Sequence, residues 1–330
     1  MSKRVCVIEG DGIGREVVPA ALAVLAALRL PFDYTAAKAG YACYQECGDP
    51  IPAATVAACR EADAVLFGAV TTPPDIPNYR SAIITLRKEL DLYANIRPMR
   101  SLGVPGYRDG IDLTIVRENT EGLYSGQEED LGDVVIAKRV ISRRGSERIV
   151  RAAFDLARRE GRRRVTIVHK ANVLRLTCGL FRRTAFEVAK EYPEITADEM
   201  LVDAMAMRLI KEPEKFSVIV TTNLFGDILS DEASMLVGGL GVAAAGNVGE
   251  RGAIFEPVHG SAPNVVGRGT ANPLATILAA AMMLSYLGER EAAERVNQAV
   301  ARAVAAGVLP PDLGGTATTG EVTSAVIARL

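Results

Sequence analysis

The segment Ile8–Val18, "IEGDGIGREVV", follows the apolar run "RVCVI" and leads into an alanine- and leucine-rich run. This order predicts a strand, a glycine turn and a helix, the place where a dinucleotide-binding fold puts its phosphate loop. The fingerprint of that loop is Gly-x-Gly-x-x-Gly. Here Gly10, Gly12 and Gly14 alternate, and Arg15 occupies the position of the third glycine. The turn fails the fingerprint, so evidence for a nucleotide site must come from elsewhere in the chain.

Outside this turn, β-branched runs alternate with alanine- and leucine-rich segments. The strand-like runs are "RVCVI", "AVLFGAV", "IDLTIV", "RRVTIVHK" and "KFSVIVTT". Helical patterns cover Arg15–Leu28, Ser146–Arg159, Thr177–Glu191 and Ala271–Ala306. This alternation predicts an α/β protein with a largely parallel sheet and helices on both faces.

One region, Glu121–Gly145, departs from the alternation. It contains strand-like pieces, glycine turns and charges, but no helical pattern. Two interpretations fit equally well: a β-hairpin arm that reaches out of its domain, and a long surface loop.

The composition restricts the class of protein. A chain of 330 residues with 49% hydrophobic and 24% charged residues is typical of a soluble globular protein, long enough for two domains. A net charge of −2 gives no reason to expect nucleic acid or a membrane surface as a partner. The five cysteines form no Cys-x-x-Cys pair, and the N-terminus shows no signal peptide. We therefore expect a reducing, cytoplasmic compartment.

Charged and polar residues follow several of the predicted strands. In parallel sheets ligands bind at the carboxyl ends of the strands, which makes Arg117, Lys170 and Asn223 candidates for a site. For any single residue, a solvated strand end or a helix cap is the commoner explanation. Tyr124 and Lys170 could each act as a general acid or base, although Tyr124 could equally be a half-buried structural tyrosine. His169 is interpreted as structural.

Asp227 and Asp231 lie four residues apart on a predicted helix, so both carboxylates project from one face. Like charges at this spacing repel, and a cation compensates them: a metal ion, lysine or arginine. Carboxylate oxygens suit Mg²⁺ or Mn²⁺, whereas the alternative is a solvated acidic face. Asp203 lies in an otherwise apolar segment, and a buried aspartate needs a partner. We therefore expect Asp203 to contribute to a metal site.

Three arginines, Arg87, Arg97 and Arg117, fit a second kind of site. Guanidinium groups bind carboxylates bidentately, so together they would suit a di- or tricarboxylic acid. Taken singly, each is more often a surface residue, except Arg117, which directly follows an apolar strand.

The glycine- and proline-rich segment Phe255–Pro273 offers backbone N–H groups to a phosphate or ribose. It leads into a helix for which Asn272 is the expected cap and Pro273 the expected first residue. The alternative is a long turn.

Taken together, these stretches resemble the β-decarboxylating dehydrogenases, the family of isocitrate, 3-isopropylmalate, homoisocitrate and tartrate dehydrogenases. The resemblance rests on "IEGDGIGREV", "TLRKELDLYANIRP", "VRENTEGLY", "HKANVLRLTCGLF", "TTNLFGDILSDEA" and "EPVHGSAPNVVGRGTANP", and so covers almost the whole chain. Within the family, the homoisocitrate dehydrogenases of bacterial lysine biosynthesis are the most similar.

The resemblance implies an isopropylmalate dehydrogenase-like fold of two domains with a largely parallel sheet, not a Rossmann fold. The large domain is expected at 1–98 plus 253–330, and the small domain at 99–252. The segment at about 121–145 matches the arm by which family members dimerise. Members are homodimers or larger oligomers in which the partner subunit completes each active site.

The resemblance also implies roles for individual residues. Arg87, Arg97 and Arg117 would bind substrate carboxylates, with Asn172 nearby. Tyr124 and Lys170 would be the catalytic acid and base, Lys170 coming from the partner subunit. Asp227 and Asp231, with Asp203 from the partner subunit, would hold Mg²⁺ or Mn²⁺. The full catalytic set argues against a non-catalytic regulatory subunit, and metal-dependent NADH formation would exclude a nucleotide-binding protein without redox chemistry.

The nucleotide would bind at the second glycine-rich segment. The residues implied in cofactor binding are Ile13, His259, Gly260, Ser261, Ala262, Asn264, Val265 and Asn272. NAD-dependent relatives usually carry Asp where this chain has Asn264, and the Lys-Tyr pair of NADP-dependent relatives is missing. We expect NAD, with some tolerance of NADP.

Substrate choice depends on the segment Asn78–Arg87, "NYRSAIITLR". Arg80 and Ser81 are the residues that isocitrate dehydrogenases have at these positions. Ile83, by contrast, stands where those enzymes have an asparagine, and Ile84 adds apolar surface. This mixed lining suits a longer carboxylate chain that ends at Arg80 or Ser81. We therefore expect a tricarboxylic 2-hydroxy acid, homoisocitrate, to be converted to 2-oxoadipate, with isocitrate also accepted. Isocitrate or 3-isopropylmalate as the main substrate remains the alternative.

Overall fold

The computed structural model describes residues 2–76 and 79–330. The strands, in chain order, are β1 (Lys3–Gly10), β2 (Phe32–Ala36), β3 (Ala64–Ala69), β4 (Ala94–Arg100), β5 (Asp112–Glu118), β6 (Glu128–Asp130), β7 (Val135–Ala137), β8 (Arg164–His169), β9 (Thr196–Leu201), β10 (Val218–Thr221), β11 (Ala244–Val248) and β12 (Ala253–Pro257). The helices are α1 (Gly14–Ala27), α2 (Tyr41–Cys47), α3 (Ala53–Glu61), α4 (Ala82–Glu89), α5 (Arg143–Arg159), α6 (Thr177–Ala189), α7 (Val202–Lys211), α8 (Asn223–Ser234), α9 (Leu274–Tyr286), α10 (Arg290–Ala305) and α11 (Thr319–Ile327).

The chain forms two compact units. Unit 1 consists of Met1–Leu90, Ser101–Asp109 and Val237–Leu330, and unit 2 of Asp91–Arg100 and Gly110–Leu236. These bounds differ from the predicted domain bounds because β4 pairs with β5 of unit 2, while β11 pairs with β12 of unit 1. Sequence motifs do not show strand pairing, so the predicted boundary at 98/99 cuts through β4 and the boundary at 252/253 separates β11 from β12.

In unit 1 the strands lie in the order β2-β1-β3-β12-β11. The first four are parallel, and β11 runs antiparallel to β12. β3 is buried along its whole length, as expected for a strand with helices over both faces. α9 is buried almost all round and packs on β12, β3 and β11.

In unit 2 the order is β4-β5-β10-β8-β9. The last four strands are parallel and β4 is antiparallel to β5. The carboxyl ends of β5, β10 and β8 therefore share one edge, where the chain continues into the polar residues singled out from the sequence. The predicted α/β class with a largely parallel sheet is confirmed.

The predicted helix at Ala271–Ala306 is wrong in one respect, because it is two helices, α9 and α10. They are separated by a turn in which Gly288 takes a φ of +96°. α9 also begins at Leu274 and not at Pro273; Asn272 still accepts a hydrogen bond from the Leu274 N–H, at 3.0 Å. Apolar residues resume at helical spacing from Ala292, although Gly288 and the charged residues after it interrupt the pattern.

The segment Glu121–Gly145 contains an antiparallel two-stranded ribbon, β6 and β7. Both strands are exposed along their length, and Val135 is 64% exposed. The segment therefore contains a β-hairpin, which favours the first interpretation, while its reach out of the domain stays a prediction. In residues 2–76 and 79–330, no helix is long and apolar enough to cross a membrane.

The three alternating glycines of the first turn are each required by a close backbone approach. A Cβ on Gly10 would lie 2.0 Å from the carbonyl oxygen of Ala69, and one on Gly14 would lie 2.1 Å from that of Glu9. A Cβ on Gly12 would lie 2.1 Å from the carbonyl oxygen of Ser261. The glycine spacing thus allows the turn to pack against neighbouring backbone, which explains why it departs from the nucleotide fingerprint.

We predict that Gly12→Ala lowers the free energy of unfolding by about 3 kcal/mol or more, because it adds both a backbone clash and strain at a φ of +55°. Gly314→Ala is the matched control, since Gly314 has a φ of +81° with no atom within 4 Å of an added Cβ. It should lose only about 1 kcal/mol. Urea unfolding followed by circular dichroism measures the free energy of unfolding of both variants. Equal losses would contradict the claim that the close approach of the Ser261 carbonyl oxygen requires glycine at position 12.

Candidate active site

Arg117 is the centre of the polar cluster in unit 2. It lies near the carboxyl end of β5 and is only 1% exposed. Its Nε and Nη2 donate to the Asn223 side-chain oxygen, at 3.0 and 2.6 Å, and its Nη1 donates to Oδ1 of Asp227. A buried guanidinium needs such partners, because an unpaired buried charge is strongly destabilising. The expectation that Arg117 is no surface arginine is therefore met.

Helix α8 supplies the groups that surround Arg117. Asn223 is its first residue, and Asp227 follows one turn later on the same face. Between them, a Cβ added at Gly226 would lie 2.7 Å from Cβ and Cγ of Arg117. The sequence "NLFGD" thus provides an acceptor, a gap for the arginine stem and a carboxylate.

Arg97, on β4, approaches the same helix. Its Nε donates to Asn95 at 2.7 Å, and its Nη1 donates to Ser230 at 2.7 Å and to Asp231 at 2.9 Å. Its Nη2 lies 3.3 Å from Oδ1 of Asp227. Arg97 and Arg117 therefore compensate the repulsion between the two aspartates. Arginine is one of the cations that the spacing of the aspartates predicts.

Tyr124 completes this group. Its hydroxyl donates to Oδ2 of Asp227 at 2.5 Å, and the Arg117 guanidinium lies 5.0 Å from the centre of its ring. Burial and the Asp227 carboxylate raise the pKa of Tyr124 above its usual value. The phenol therefore keeps its proton at neutral pH and is set up as a hydrogen-bond donor.

Asp227 and Asp231 are chemically suited to a hard divalent ion, since both side chains supply only carboxylate oxygens as ligands. Burial raises the pKa of Asp231, although Arg97 opposes the rise. Within residues 2–76 and 79–330, one chain brings no three His, Cys, Asp or Glu side chains into a common metal site. Asp227 and Asp231 therefore fit an Mg²⁺ or Mn²⁺ ion only as part of a larger ligand set.

Lys170 and Asp203 form a separate pair, with Nζ of Lys170 2.5 Å from Oδ1 of Asp203. The expectation that Asp203 is buried is wrong: its side chain is 61% exposed, because Met205 and Leu209 take the inner face of α7. The apolar residues around Asp203 lie partly on the inner face of α7 and partly on its outer face. Asn172 is also exposed.

His169 has the structural role predicted for it. It is 3% exposed, its Nδ1 accepts from the Ala171 N–H at 3.1 Å, and its Nε2 lies 3.0 Å from Glu199. These contacts fix the chain immediately before Lys170.

In unit 1, Arg87 on α4 is paired with Glu256, at 2.7 Å, and both side chains are largely buried. Glu256 is held in turn by the Asn247 side-chain amide at 2.7 Å. The Nε of Arg87 is buried without a hydrogen-bond partner in the described chain. An orphaned donor of this kind fits an anionic ligand.

Arg80 and Ser81 directly precede α4, and Ser81 is its N-cap residue. Arg80 is exposed and lies 3.3 Å from Asp49, and the Ser81 hydroxyl makes no capping bond to the helix. Asn78, the first residue of the segment expected to read the substrate, lies outside the described residues.

The glycine turn of unit 1 packs directly on the second glycine-rich segment. The Ile13 N–H donates to the Ser261 carbonyl at 3.0 Å, and Ile13 shares an apolar cluster with Ala262 and Val265. Ala262 has a φ of +42°, a strained value for a residue other than glycine. Asn264 is exposed. Residues expected to bind the cofactor at the two ends of the chain are thus neighbours.

Two further expected cofactor residues differ in whether the chain itself satisfies their polar atoms. The Asn272 amide donates to Asp312 at 3.0 Å and its oxygen accepts from Leu274, so its side chain is satisfied. His259 has a buried Nε2 without a partner in the described residues, and burial lowers the pKa of its imidazole. A neutral ring at pH 7 follows. Gly260 next to it is exposed.

Several residues that hold these groups have no role predicted from the sequence. Asp11 is buried and its carboxylate accepts from the backbone N–H groups of Tyr41, Ala42 and Thr71. Asn95, Ser230 and Glu256 orient arginines. Asp11 lies within the glycine turn, where a carboxylate between glycines could have signalled backbone anchoring. The others carry no local signal, because their partners are distant in the sequence.

Comparison with known proteins finds similar chains over nearly the whole sequence. A family model described as isocitrate/isopropylmalate dehydrogenase matches residues 4–326. The isocitrate/homoisocitrate dehydrogenase of Thermus thermophilus is 54% identical over 331 residues, covering 100% of this chain and 99% of that protein. The 3-isopropylmalate dehydrogenase of Archaeoglobus fulgidus is 51% identical over 330 residues, with 99% of each chain covered.

Among solved structures, the isocitrate dehydrogenase from Methylococcus capsulatus matches with a TM-score of 0.95 and 44% identity. The match covers 100% of this chain and 99% of that one. The relatives carry three different substrate names at similar identity, so similarity alone leaves the substrate open.

We predict that Asn223→Ala lowers the free energy of unfolding by about 1 to 3 kcal/mol, because it removes the acceptor of two buried Arg117 N–H groups. Asn172→Ala is the matched control, and should change stability by less than about 0.5 kcal/mol, since Asn172 is exposed. Urea unfolding compares the two variants. A neutral Asn223→Ala would show that Arg117 does not depend on this acceptor.

Proposed function

This chain belongs to the isocitrate/isopropylmalate dehydrogenase family, and we propose that it catalyses the NAD- and divalent-metal-dependent oxidative decarboxylation of homoisocitrate to 2-oxoadipate. Isocitrate is proposed as a second substrate. This activity would place the enzyme in lysine biosynthesis through α-aminoadipate.

The observation that carries the proposal is the set of contacts around Asp227. One carboxylate meets two arginines and a protonated tyrosine within a few ångströms. A polycarboxylate substrate requires paired guanidinium groups, and decarboxylation requires a proton donor for the enol that remains. Both are present in one cluster.

In this proposal Arg97 and Arg117 bind substrate carboxylates through N–H groups on the side of Asp227 and Asp231. Their positions are fixed beforehand by Asn95, Ser230 and Asn223, so little side-chain freedom is lost on binding.

Arg87 would bind a further carboxylate through its orphaned Nε while Glu256 holds the other end of the guanidinium. Lys170 is assigned to removing the hydroxyl proton, and Asn172 lies on the same loop. Tyr124 is assigned to protonating the enol, a role that its raised pKa favours because the proton is retained at neutral pH.

Asp227 and Asp231 would hold Mg²⁺ or Mn²⁺ together with Asp203 of a second copy. When bound, such an ion acts as a Lewis acid at the substrate hydroxyl and its neighbouring carboxylate. The exposure of Asp203 supports this arrangement, because its carboxylate is directed away from the core of its own chain.

A homodimer or larger homo-oligomer follows from the same argument. Exposed apolar side chains on α7 and α8 support it: Met207 is 67% exposed, Ile210 59% and Ile228 58%. The ribbon β6–β7 carries further exposed apolar residues, including Val135 and Leu131. Surfaces of this kind on one chain are typical of a site that another chain covers.

For the cofactor we propose NAD, bound by the turn at Ile13 and the segment His259–Val265. Asn264 can donate to and accept from ribose hydroxyl groups, and its exposed side chain is accessible to a ligand. It lacks the negative charge that would repel a 2′-phosphate, so weak activity with NADP is consistent with the proposal.

The substrate proposal predicts the highest kcat/KM for homoisocitrate, a lower value for isocitrate and the lowest for 3-isopropylmalate. NADH formation with Mg²⁺ at a fixed enzyme concentration measures all three. Arg80→Gln should lower kcat/KM for homoisocitrate about tenfold or more, since a charge-assisted hydrogen bond contributes about 1.5 to 3 kcal/mol. It should leave 3-isopropylmalate unaffected.

Lys88→Gln is the matched control, because it removes the same charge from an exposed position on α4. It should leave the order of substrates unchanged. A preference for 3-isopropylmalate would instead assign the pocket to Ile83 and Ile84 and overturn the homoisocitrate proposal. Equal effects of the two variants would remove Arg80 from the site.

The role of Tyr124 predicts that Tyr124→Phe lowers kcat about 100-fold or more with a smaller change in KM, because the ring is kept and only the proton donor is lost. Tyr34→Phe, at a 44% exposed tyrosine of unit 1, should retain full activity. Steady-state kinetics with Mg²⁺ and NAD test both. A rise in KM with kcat unchanged would make Tyr124 a binding residue only.

A further inference from the structure

Two cysteines of helix α2 bring their sulfur atoms together. Cys43 and Cys47 are four residues apart, and their Sγ atoms are separated by 3.8 Å. Both are free thiols; Cys43 is buried and Cys47 is exposed. An ion in solution therefore reaches Cys47 first and finds Cys43 directly behind it. Neither residue has a part in the proposed function.

The separation of the two sulfurs matches a known coordination geometry. A tetrahedral ion with metal–sulfur bonds of about 2.3 Å holds two sulfur ligands about 3.8 Å apart. We propose that Cys43 and Cys47 form a bidentate binding site for a thiophilic divalent ion such as Zn²⁺, with solvent completing the coordination. Thiolate ligands favour such ions over Mg²⁺, which sets this site apart from the carboxylate pair of unit 2.

A disulfide between the same residues fits the structure less well. It would require the sulfurs to move from 3.8 Å to about 2.05 Å apart, a displacement that a bound ion does not need. Burial also raises the pKa of Cys43 to about 11, and a protonated thiol is a poor nucleophile. A metal ion, by contrast, displaces the thiol protons on binding and needs no change in the sulfur separation.

The surroundings of the pair consist of backbone carbonyl groups and one charged pair. The Cys47 thiol now donates to the Cys43 carbonyl at 3.2 Å and to the Asp49 carbonyl at 3.5 Å, contacts that a bound ion would replace. Burial and the neighbouring Cys47 raise the pKa of Cys43, and Lys38, which is paired with Glu46 at 2.6 Å, opposes the rise. In the part of the chain that the structure describes, no third side chain completes a metal site here.

A second cysteine pair provides an internal comparison. Cys6 on β1 and Cys59 on α3 have Sγ atoms 4.0 Å apart, but both residues are buried. An ion would reach them only through an opened core. The exposure of Cys47, and not sulfur proximity alone, therefore separates the proposed site from a packed pair of thiols.

Cd²⁺ is the probe, because sulfur ligation to Cd²⁺ produces an ultraviolet charge-transfer band that carboxylate ligation does not. The reduced full-length protein is titrated with Cd²⁺ in excess Mg²⁺ and without substrate. The expected result is a band that saturates at one Cd²⁺ per chain and is removed by Zn²⁺. Cys47→Ser should abolish the band, while Cys59→Ala should leave it unchanged.

A band that survives Cys47→Ser, or no band in the parent protein, would overturn the proposal. A Cys43–Cys47 disulfide formed in air, detected by mass as the loss of two hydrogens, would assign the pair to redox chemistry instead. Circular dichroism confirms that both variants fold. Since no substrate or NAD is present, the result is independent of the proposed catalytic function.

Discussion

The burial of the Arg117 guanidinium is the constraint on which the polar cluster of unit 2 depends. A charge that is 1% exposed is tolerated only if its N–H groups are paired, and α8 supplies both partners. This requirement fixes the position of α8 against β5, since Gly226 has to pass the arginine stem. Once α8 is placed, Asp227 lies within reach of Arg97 and Tyr124, and the remainder of the cluster follows.

The same constraint explains why the acidic pair is not simply a solvated face. Asp227 and Asp231 repel each other along the helix, but each lies near a guanidinium. The arginines stabilise the free protein through the aspartates, and in the proposed function the same guanidinium groups would bind the carboxylates of a substrate. An enzyme built this way has a preorganised site, because its charges are already held in position by protein groups.

How far the sequence could predict this structure depends on whether the determining contacts were local. The alternation of strands and helices, the polar ends of β5, β8 and β10, and the paired aspartates of α8 follow from spacing along the chain. The burial of Asp203 could not be predicted, because an apolar segment does not show which side of α7 faces the core. The break at Gly288, by contrast, has a local signal, because glycine commonly ends a helix and three charged residues follow it here. Partners such as Asn95 and Glu256 depend on tertiary contacts that one sequence does not encode locally.

The Lys170–Asp203 pair connects the proposed catalysis with association between two copies of the chain. Each residue neutralises the other at the protein surface, and Asp203 does not join Asp227 and Asp231 in a common metal site within the described residues. If both act in catalysis, as we propose, they must do so at the active site of another copy. The exposed apolar residues of α7 lie on the same helix as Asp203, so the surface that a second copy would cover is also the surface that presents this carboxylate. Association and catalysis would then depend on the same contact, and a separated chain would lack both its base and part of its metal ligands.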